Sequence, residues 1–265
     1  MSSFNEQTLI QEFAEKANLD LSSFSEEFIF KRVISFCNNN SIKPNELIDK
    51  IRLDSVLTES FITSLSVLVS DFFRDPDFYS ELEAKVLEWL RTFPMINIWS
   101  IGCATGEEPY SIAIWLKRNG LLNRTTIYAT DISSSALEIA KSANYSKLSI
   151  DRGAQNYFDY CGRDNFLNYF SDNGEIIQEI KDRVTFHNHN CIYDGAFCRA
   201  QLVFCRNLLI YYNEEAQFKI LQLIKSSLDK KAFLCLGKVE HVPFDWRKSL
   251  NLERIECEGK VYRSY

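Results

Sequence analysis

Apolar positions follow two different spacings along this 265-residue chain. In the first seventy residues they recur at helical intervals: Leu9, Ile10, Phe13 and Ala14, then Phe28, Ile29, Val33 and Phe36. The run Asn38-Asn-Asn-Ser41 breaks that pattern, and Ser41-Ile-Lys-Pro-Asn-Glu46 restarts it. Glycine is absent here, and the spacing predicts a small all-helical N-terminal domain of four or five helices over residues 1–72. Beyond it, short apolar runs alternate with helical stretches. Glu81–Arg91 reads as a helix ending before Thr92-Phe-Pro94, and the run from Ile98 to Ile101 as a buried strand. A turn through Gly102, Ala104 and Gly106 leads to Pro109, which suits a first helical turn, and to Ile112, Ile114, Trp115 and Leu116. Further strands are predicted at Thr126–Thr130, Val184–Phe186, Gln201–Cys205 and Ala232–Leu236, with helices opening at Ser133 and spanning Glu214–Leu228. Leu252–Cys257 and Lys260–Tyr262 read as a closing antiparallel hairpin. Residues 144–182 are polar and aromatic, with a turn at Ser171-Asp-Asn-Gly174; Glu175–Ile180 reads as a hairpin arm or a helix end. Strand alternating with helix predicts an α/β domain over 73–265, its sheet mostly parallel and its ligand at the strand carboxyl ends.

Composition narrows the setting. Hydrophobic content of 46% and charged content of 25% are ordinary for a chain that buries a core. The net charge of −6 argues against binding nucleic acid by general electrostatics. No apolar run approaches the ~18 residues of a membrane span and no secretory segment opens the chain. A cytoplasmic protein without membrane insertion is the expectation. The eight cysteines are scattered without a C-x-x-C pair, and several sit in strand-like surroundings, so reduced core thiols are expected. His187, His189 and His241 lack zinc-site spacing, and no metal is expected.

The strand–glycine turn–helix unit is where a nucleotide-type ligand binds. Pyrophosphate fits poorly. Glu107 and Glu108 occupy the helix start where phosphate would sit, and Glu107 replaces the third glycine of G-x-G-x-x-G. A cationic ligand such as S-adenosylmethionine, with its sulfonium and amino group, fits better. Asp131 ends the second strand, 25 residues beyond Gly106, where a ribose hydroxyl pair is held in such folds. Its competing role is a helix cap, but Ser133 or Ser134 can serve there and leave Asp131 freer for ligand.

Four stretches together carry a resemblance: Phe72-Phe-Arg-Asp-Pro76, Trp99-Ser-Ile-Gly-Cys-Ala-Thr-Gly-Glu-Glu-Pro-Tyr-Ser111, Ala129-Thr-Asp-Ile132 and Phe204-Cys-Arg-Asn-Leu-Leu-Ile-Tyr-Tyr212. In order and spacing the chain resembles the chemotaxis-receptor glutamate methyltransferases, the CheR family. The resemblance implies a helical N-terminal domain, a Rossmann-like methyltransferase domain and a small inserted antiparallel β-subdomain, here about residues 165–186. It implies S-adenosylmethionine as cofactor and S-adenosylhomocysteine as product. Cofactor-binding positions carried over by it are Ser70, Arg74, Gly102, Glu108, Asp131, Asn190, Cys191, Asn207 and Leu208. Arg74 and Tyr211 are the catalytic expectations: Arg74 matches the arginine beside the methyl donor and Tyr211 a tyrosine near the reactive centre. The implied partner is the cytoplasmic domain of a chemotaxis receptor, and the enzyme is expected to be a monomer.

Two departures stand out. Leu68 replaces the family's usual asparagine, removing one polar cofactor contact, and the usual G-H-S-E reads Gly237-Lys-Val-Glu240. The N-terminal region is acidic, with seven Lys and Arg against twelve Asp and Glu over residues 1–75, unlike the basic docking face of enterobacterial members. Recognition is therefore expected in the cleft around Arg74, without a C-terminal receptor tether on the acidic 165–186 segment. Three other readings remain in view at this level. A nucleic-acid or small-molecule methyltransferase lacks its N-P-P-Y-type motif, since Arg206-Asn207 stands there, and an NAD-dependent oxidoreductase lacks its third glycine. A regulatory module that binds the cofactor without catalysis, or a methyltransferase with another protein substrate, would show the same motifs.

Overall fold

The computed structural model describes residues 21–65, 70–162, 165–256 and 260–265. The expected helix around Leu9–Ala14, together with Leu68 and Cys257, lies outside the described residues. The chain divides into two compact units, residues 1–67 with 210–219, and residues 68–209 with 220–265.

In the first unit, helix α1 (Glu26–Asn40) starts where the Ser25 hydroxyl accepts the Phe28 N–H at 3.3 Å. It ends at Ser41, which sits in the left-handed region at φ 54°. Pro44 takes the first turn of α2 (Pro44–Leu53), where its missing N–H costs nothing. Asp54 then accepts the N–H groups of Val56 and Leu57 to open α3 (Ser55–Leu65). The apolar faces close on a core of Phe28, Ile29, Val33, Phe36, Leu47, Ile51 and Phe61.

The second unit opens with α4 (Pro76–Arg91), β1 (Ile96–Ile101), α5 (Glu107–Arg118), β2 (Thr125–Asp131), α6 (Ser134–Ser142) and α7 (Lys147–Cys161). It continues with the short α8 (Gln178–Lys181), β3 (Val184–Asn188), β4 (Ala200–Cys205), α9 (Glu214–Ser227) and β5 (Leu228–Leu236). Then come α10 (Phe244–Ser249), β6 (Leu252–Arg254) and β7 (Lys260–Ser264); the first residues of α9 belong to the helical unit. The seven strands form one sheet in the order β3-β2-β1-β4-β5-β7-β6. Pairing is parallel from β3 through β5 and antiparallel at β7 and β6, with Ile98 opposite Ile127 on one side and Leu202 on the other. The chain winds outward from β1 to β3, then returns to β4 on the other side of β1. That reversal opens a crevice at the carboxyl ends of β1 and β4, where ligands bind in open α/β sheets. Leu82, Val86 and Leu90 of α4, Ile112 and Trp115 of α5 and Tyr157 of α7 pack with Ile98, Ile127, Leu202 and Phe204. Burying each such side chain stabilises by roughly 1.5–3 kcal/mol.

The expected β1 turn, Asp131 strand end and closing hairpin are present. Helix α4 starts at Pro76, five residues before the predicted Glu81, because Pro76 is its first-turn residue rather than a break. Helix α7 was not read from the polar, aromatic sequence, although Ser146 caps it and Gly162 ends it at φ 69°. Where the inserted antiparallel β-subdomain is expected, residues 165–186 make short antiparallel contacts between turns and a short helix. Phe166–Tyr169 form a 3-10 turn, Phe170 bridges Ile176 and Glu175 bridges Asn144, both antiparallel, and α8 and the start of β3 follow. Aromatic packing anchors the segment to the core: Phe166 and Phe170 lie 5.5 and 5.6 Å from the Phe72 ring.

Candidate functional site

Beyond Ile101 the backbone turns sharply, with Gly102 at φ 70°, Ala104 at 45° and Gly106 at 95°. Gly106 caps α5 in a conformation that side chains resist. Gly102 is also a close approach, since a Cβ there would meet Leu208 Cδ1 at 2.9 Å. The strained Ala104 is held by its N–H, which donates to Asp131 Oδ2 at 2.8 Å. The Ser133 N–H donates to Asp131 Oδ1, also at 2.8 Å. Ser133 does cap α6, its hydroxyl accepting the Ala136 N–H. Asp131 is nonetheless less free for ligand than expected, because both its oxygens already fasten backbone. Each keeps lone-pair capacity for a further donor, since a carboxylate offers about four acceptor sites. Burial raises the Asp131 carboxyl above its ordinary range against the pull of the backbone N–H groups.

The start of α5 is acidic and dry. Thr105 donates to Glu107 at 2.6 Å, and Ser100 donates to Glu108 at 2.8 Å. Burial raises both carboxyls; Thr105 and Ser70 oppose this at Glu107, and Arg206 chiefly opposes it at Glu108. Arg74 adds a further favourable positive charge at Glu108.

Arg206 follows β4 and is buried, its guanidinium 4.2 Å over the Phe78 ring. Its Nη2 donates to the Arg74 carbonyl at 2.9 Å and to Asp75 Oδ2 at 2.8 Å, while Nη1 stands 3.5 Å from Glu108 Oε2. One side chain thus joins the acidic helix start to the turn that carries Arg74. In that turn Phe73 and Asp75 adopt φ 49° and 58°. Phe72 and Phe73 are fully buried plugs, and the Phe73 N–H donates to Ser111 Oγ at 2.9 Å. Arg74 itself is half-buried, and its guanidinium makes no hydrogen bond or ion pair with any described residue.

The loop after β4 places Asn207, at φ 57°, and Leu208 beside Gly102 and Gly237. Its backbone is fastened by Glu240, whose carboxylate accepts four N–H groups. After β3, the His189 N–H donates to the Asp131 carbonyl, and Asn190 turns the chain through its Oδ1, which accepts the Ile192 N–H at 2.9 Å. Cys191 is buried. Ser70, Arg74, Gly102, Glu108, Asp131, Asn190, Cys191, Asn207 and Leu208 all belong to the sheet-bearing unit. Tyr211 does not: it packs in the helical unit, its ring 5.0 Å from Phe28, and its carbonyl accepts the Ser25 N–H. Sequence reasoning missed Arg206 and Glu240 as organisers of the site. The signals were present: Arg206 stands in the Phe204–Tyr212 stretch that carries the resemblance, and Glu240 keeps the glutamate of the usual G-H-S-E.

The donor set tests the cofactor. The helix end where phosphate would dock carries the buried Glu107 and the half-buried Glu108, and Asp131 closes the second strand; the residues suit an adenosyl ligand with positive charge and reject a pyrophosphate. A crevice of this kind on a sheet that reverses beside β1 defines a Rossmann-like enzyme of the S-adenosylmethionine-dependent methyltransferase class. Residues 69–256 match the family described as CheR methyltransferase, SAM binding domain, and the chain belongs to that family. It is 37% identical over 240 residues to "Putative methyltransferase Cher3" of Pseudomonas putida, covering 89% of this chain and 88% of the relative. A "Chemotaxis protein methyltransferase" of Vibrio parahaemolyticus is 33% identical over 72% of this chain and 70% of its own. One of the same description from Listeria innocua is 28% identical over 84% and 85%. Among the described residues no helix is long and apolar enough to cross a membrane, and no cluster of His, Cys, Asp or Glu suits a metal ion.

Proposed function

We propose that this chain methylates glutamate side chains in the cytoplasmic domain of a chemotaxis receptor, giving glutamate methyl esters and S-adenosylhomocysteine. The observation that carries the reading is Arg74: a guanidinium on a turn locked by Arg206, making no hydrogen bond or ion pair with any described residue. A guanidinium grips a carboxylate through two parallel hydrogen bonds, and substrate glutamate is a carboxylate. When bound, the cofactor supplies a methyl group on positively charged sulfur. Asp131 would hold its ribose, and Ser70, Gly102, Glu108, Asn190, Cys191, Asn207 and Leu208 its remaining contacts. A glutamate with a pKa of about 4.3 is already ionised at neutral pH, so the chain needs no general base. Its task is to orient and desolvate the incoming carboxylate. Tyr211 keeps the role the resemblance implies, a hydrogen bond to one substrate oxygen or packing on the cofactor.

The test is transfer of a labelled methyl group from S-adenosylmethionine to purified receptor. Label released by mild alkali, and lost when the receptor's acceptor glutamates are replaced, is the expected result. Label entering only other proteins would point to a different signalling substrate, and cofactor binding without transfer to a regulatory module. Residues 165–186 make two short antiparallel bridges, Phe170 with Ile176 and Glu175 with Asn144, and Glu175 and Glu179 are paired with Lys181 and Lys117. Removing the receptor's last residues is therefore expected to leave the rate nearly unchanged. A steep loss would show that a tether exists.

A further inference from the structure

Glu240 stands in the turn after β5, buried, with no ion pair to any described residue. Its Oε2 accepts the N–H groups of Asn207 and Gly237, each at 2.7 Å. Its Oε1 accepts those of Leu208 at 2.9 Å and Leu209 at 2.7 Å. The three consecutive amides that follow Arg206 thus converge on one carboxylate, which ties the end of β4 to the end of β5. Only an ionised carboxylate offers four acceptor positions; an amide of the same shape turns two of them into donors. The fastened loop is the one in which Asn207 holds φ 57° and Leu208 presses on Gly102. Asparagine tolerates this left-handed region better than other non-glycine residues, but at some cost. The bonds to Glu240 supply the restraint.

We propose that Glu240 is a positioning residue that sets the affinity of the site for its adenosyl cofactor by holding Asn207 and Leu208 in place. The proposal rests on the reading of those two residues as cofactor contacts. Glu240 touches neither cofactor nor substrate in this scheme and acts through the loop. Gly237 belongs to the same device. A Cβ there would meet Glu240 Oε2 at 2.7 Å and the Asn207 N at 2.9 Å, so the glycine leaves the space in which carboxylate and amides meet.

The experiment is calorimetric titration of the full chain with S-adenosylhomocysteine, for wild type, Glu240→Gln and Gly237→Ala. The first variant keeps the volume and removes acceptors; the second keeps the carboxylate and crowds it. The expected result for both is a Kd raised about tenfold or more, the scale of one lost hydrogen bond to a charged group, with binding stoichiometry retained. A merely structural residue would lower the stoichiometry through loss of folded protein and leave Kd alone; that pattern overturns the proposal. Amide exchange of Asn207, Leu208 and Leu209 should quicken in Glu240→Gln. If that variant fails to fold, Gly237→Ala decides by its Kd. A wild type that binds and variants within about twofold of it would sink the role of Glu240 alone. A wild type that binds no S-adenosylhomocysteine would sink the cofactor reading itself.

Discussion

Asp131 serves the fold and the ligand with one carboxylate. Its oxygens hold the Ala104 and Ser133 amides and keep acceptor capacity for a further donor. Asp131→Ala is expected to weaken S-adenosylhomocysteine binding by about 1.5–3 kcal/mol, the scale of a hydrogen bond to a charged group. The same change strips the glycine turn of its anchor, so a lower melting temperature should accompany it. Calorimetry and thermal unfolding check the two effects separately, and unchanged affinity would remove Asp131 from the ribose site. Arg74 differs because its guanidinium makes no hydrogen bond or ion pair with any described residue while its carbonyl carries the structure. Arg74→Lys keeps the backbone contact and the charge but loses the planar fork. A large fall in methyl transfer with a near-wild-type melting temperature is the expected outcome; normal transfer would make the arginine structural only.

Helices are shaped here by what lies against them. Gly153 sits in the interior of α7, where glycine costs about 1 kcal/mol relative to alanine. A Cβ there would meet Phe72 Cβ at 2.7 Å and Phe166 Cε1 at 2.9 Å. The glycine admits the plug that anchors the Arg74 turn. Gly153→Ala should therefore destabilise the fold by about 1–3 kcal/mol despite its gain in helix propensity, as overpacked cores do. It should also slow methyl transfer through displacement of Arg74. Denaturant unfolding measures the first effect, and a variant more stable than wild type would show that the packing relaxes freely. Arg206 plays the matching part at the end of β4, meeting Asp75, the Arg74 carbonyl and Glu108 at once.

Across the sheet-bearing unit, burial raises four carboxyls: Glu107, Glu108, Asp131 and Glu240. A carboxyl raised in the folded state binds protons more readily than in the unfolded chain. These four groups therefore cost stability at neutral pH, and that cost is relieved as pH falls through their folded values toward the ordinary carboxylate range. Ligand selectivity should move the other way. Ionised carboxylates favour the sulfonium of S-adenosylmethionine, and protonation removes that preference. Affinity for S-adenosylmethionine relative to the uncharged-sulfur product should thus fall as pH is lowered from neutral. Paired calorimetric titrations across that range check it, and a ratio independent of pH would mean that the carboxylates are shielded from the sulfur.

Much of this protein was legible in the chain itself. The apolar runs at Ile98–Ile101, Thr126–Thr130 and Gln201–Cys205 specify buried parallel strands because each is too short and too continuous for a surface helix. The glycine turn with Glu107 and Glu108 named the charge of the ligand, since helix-end electrostatics are local. Asp131 was legible as a strand-end acid for the same reason. What tertiary structure alone decided are contacts between residues far apart in sequence. Glu240 gathers amides more than thirty positions away, and Arg206 reaches Arg74 across 132 residues. Residues 165–186 pack as a turn under Phe72 because two aromatic rings find a core their own sequence does not contain. Local spacing fixes which elements form and what charge they carry, whereas the partners that hold a loop in a strained conformation exist only once the sheet has brought its strand ends together.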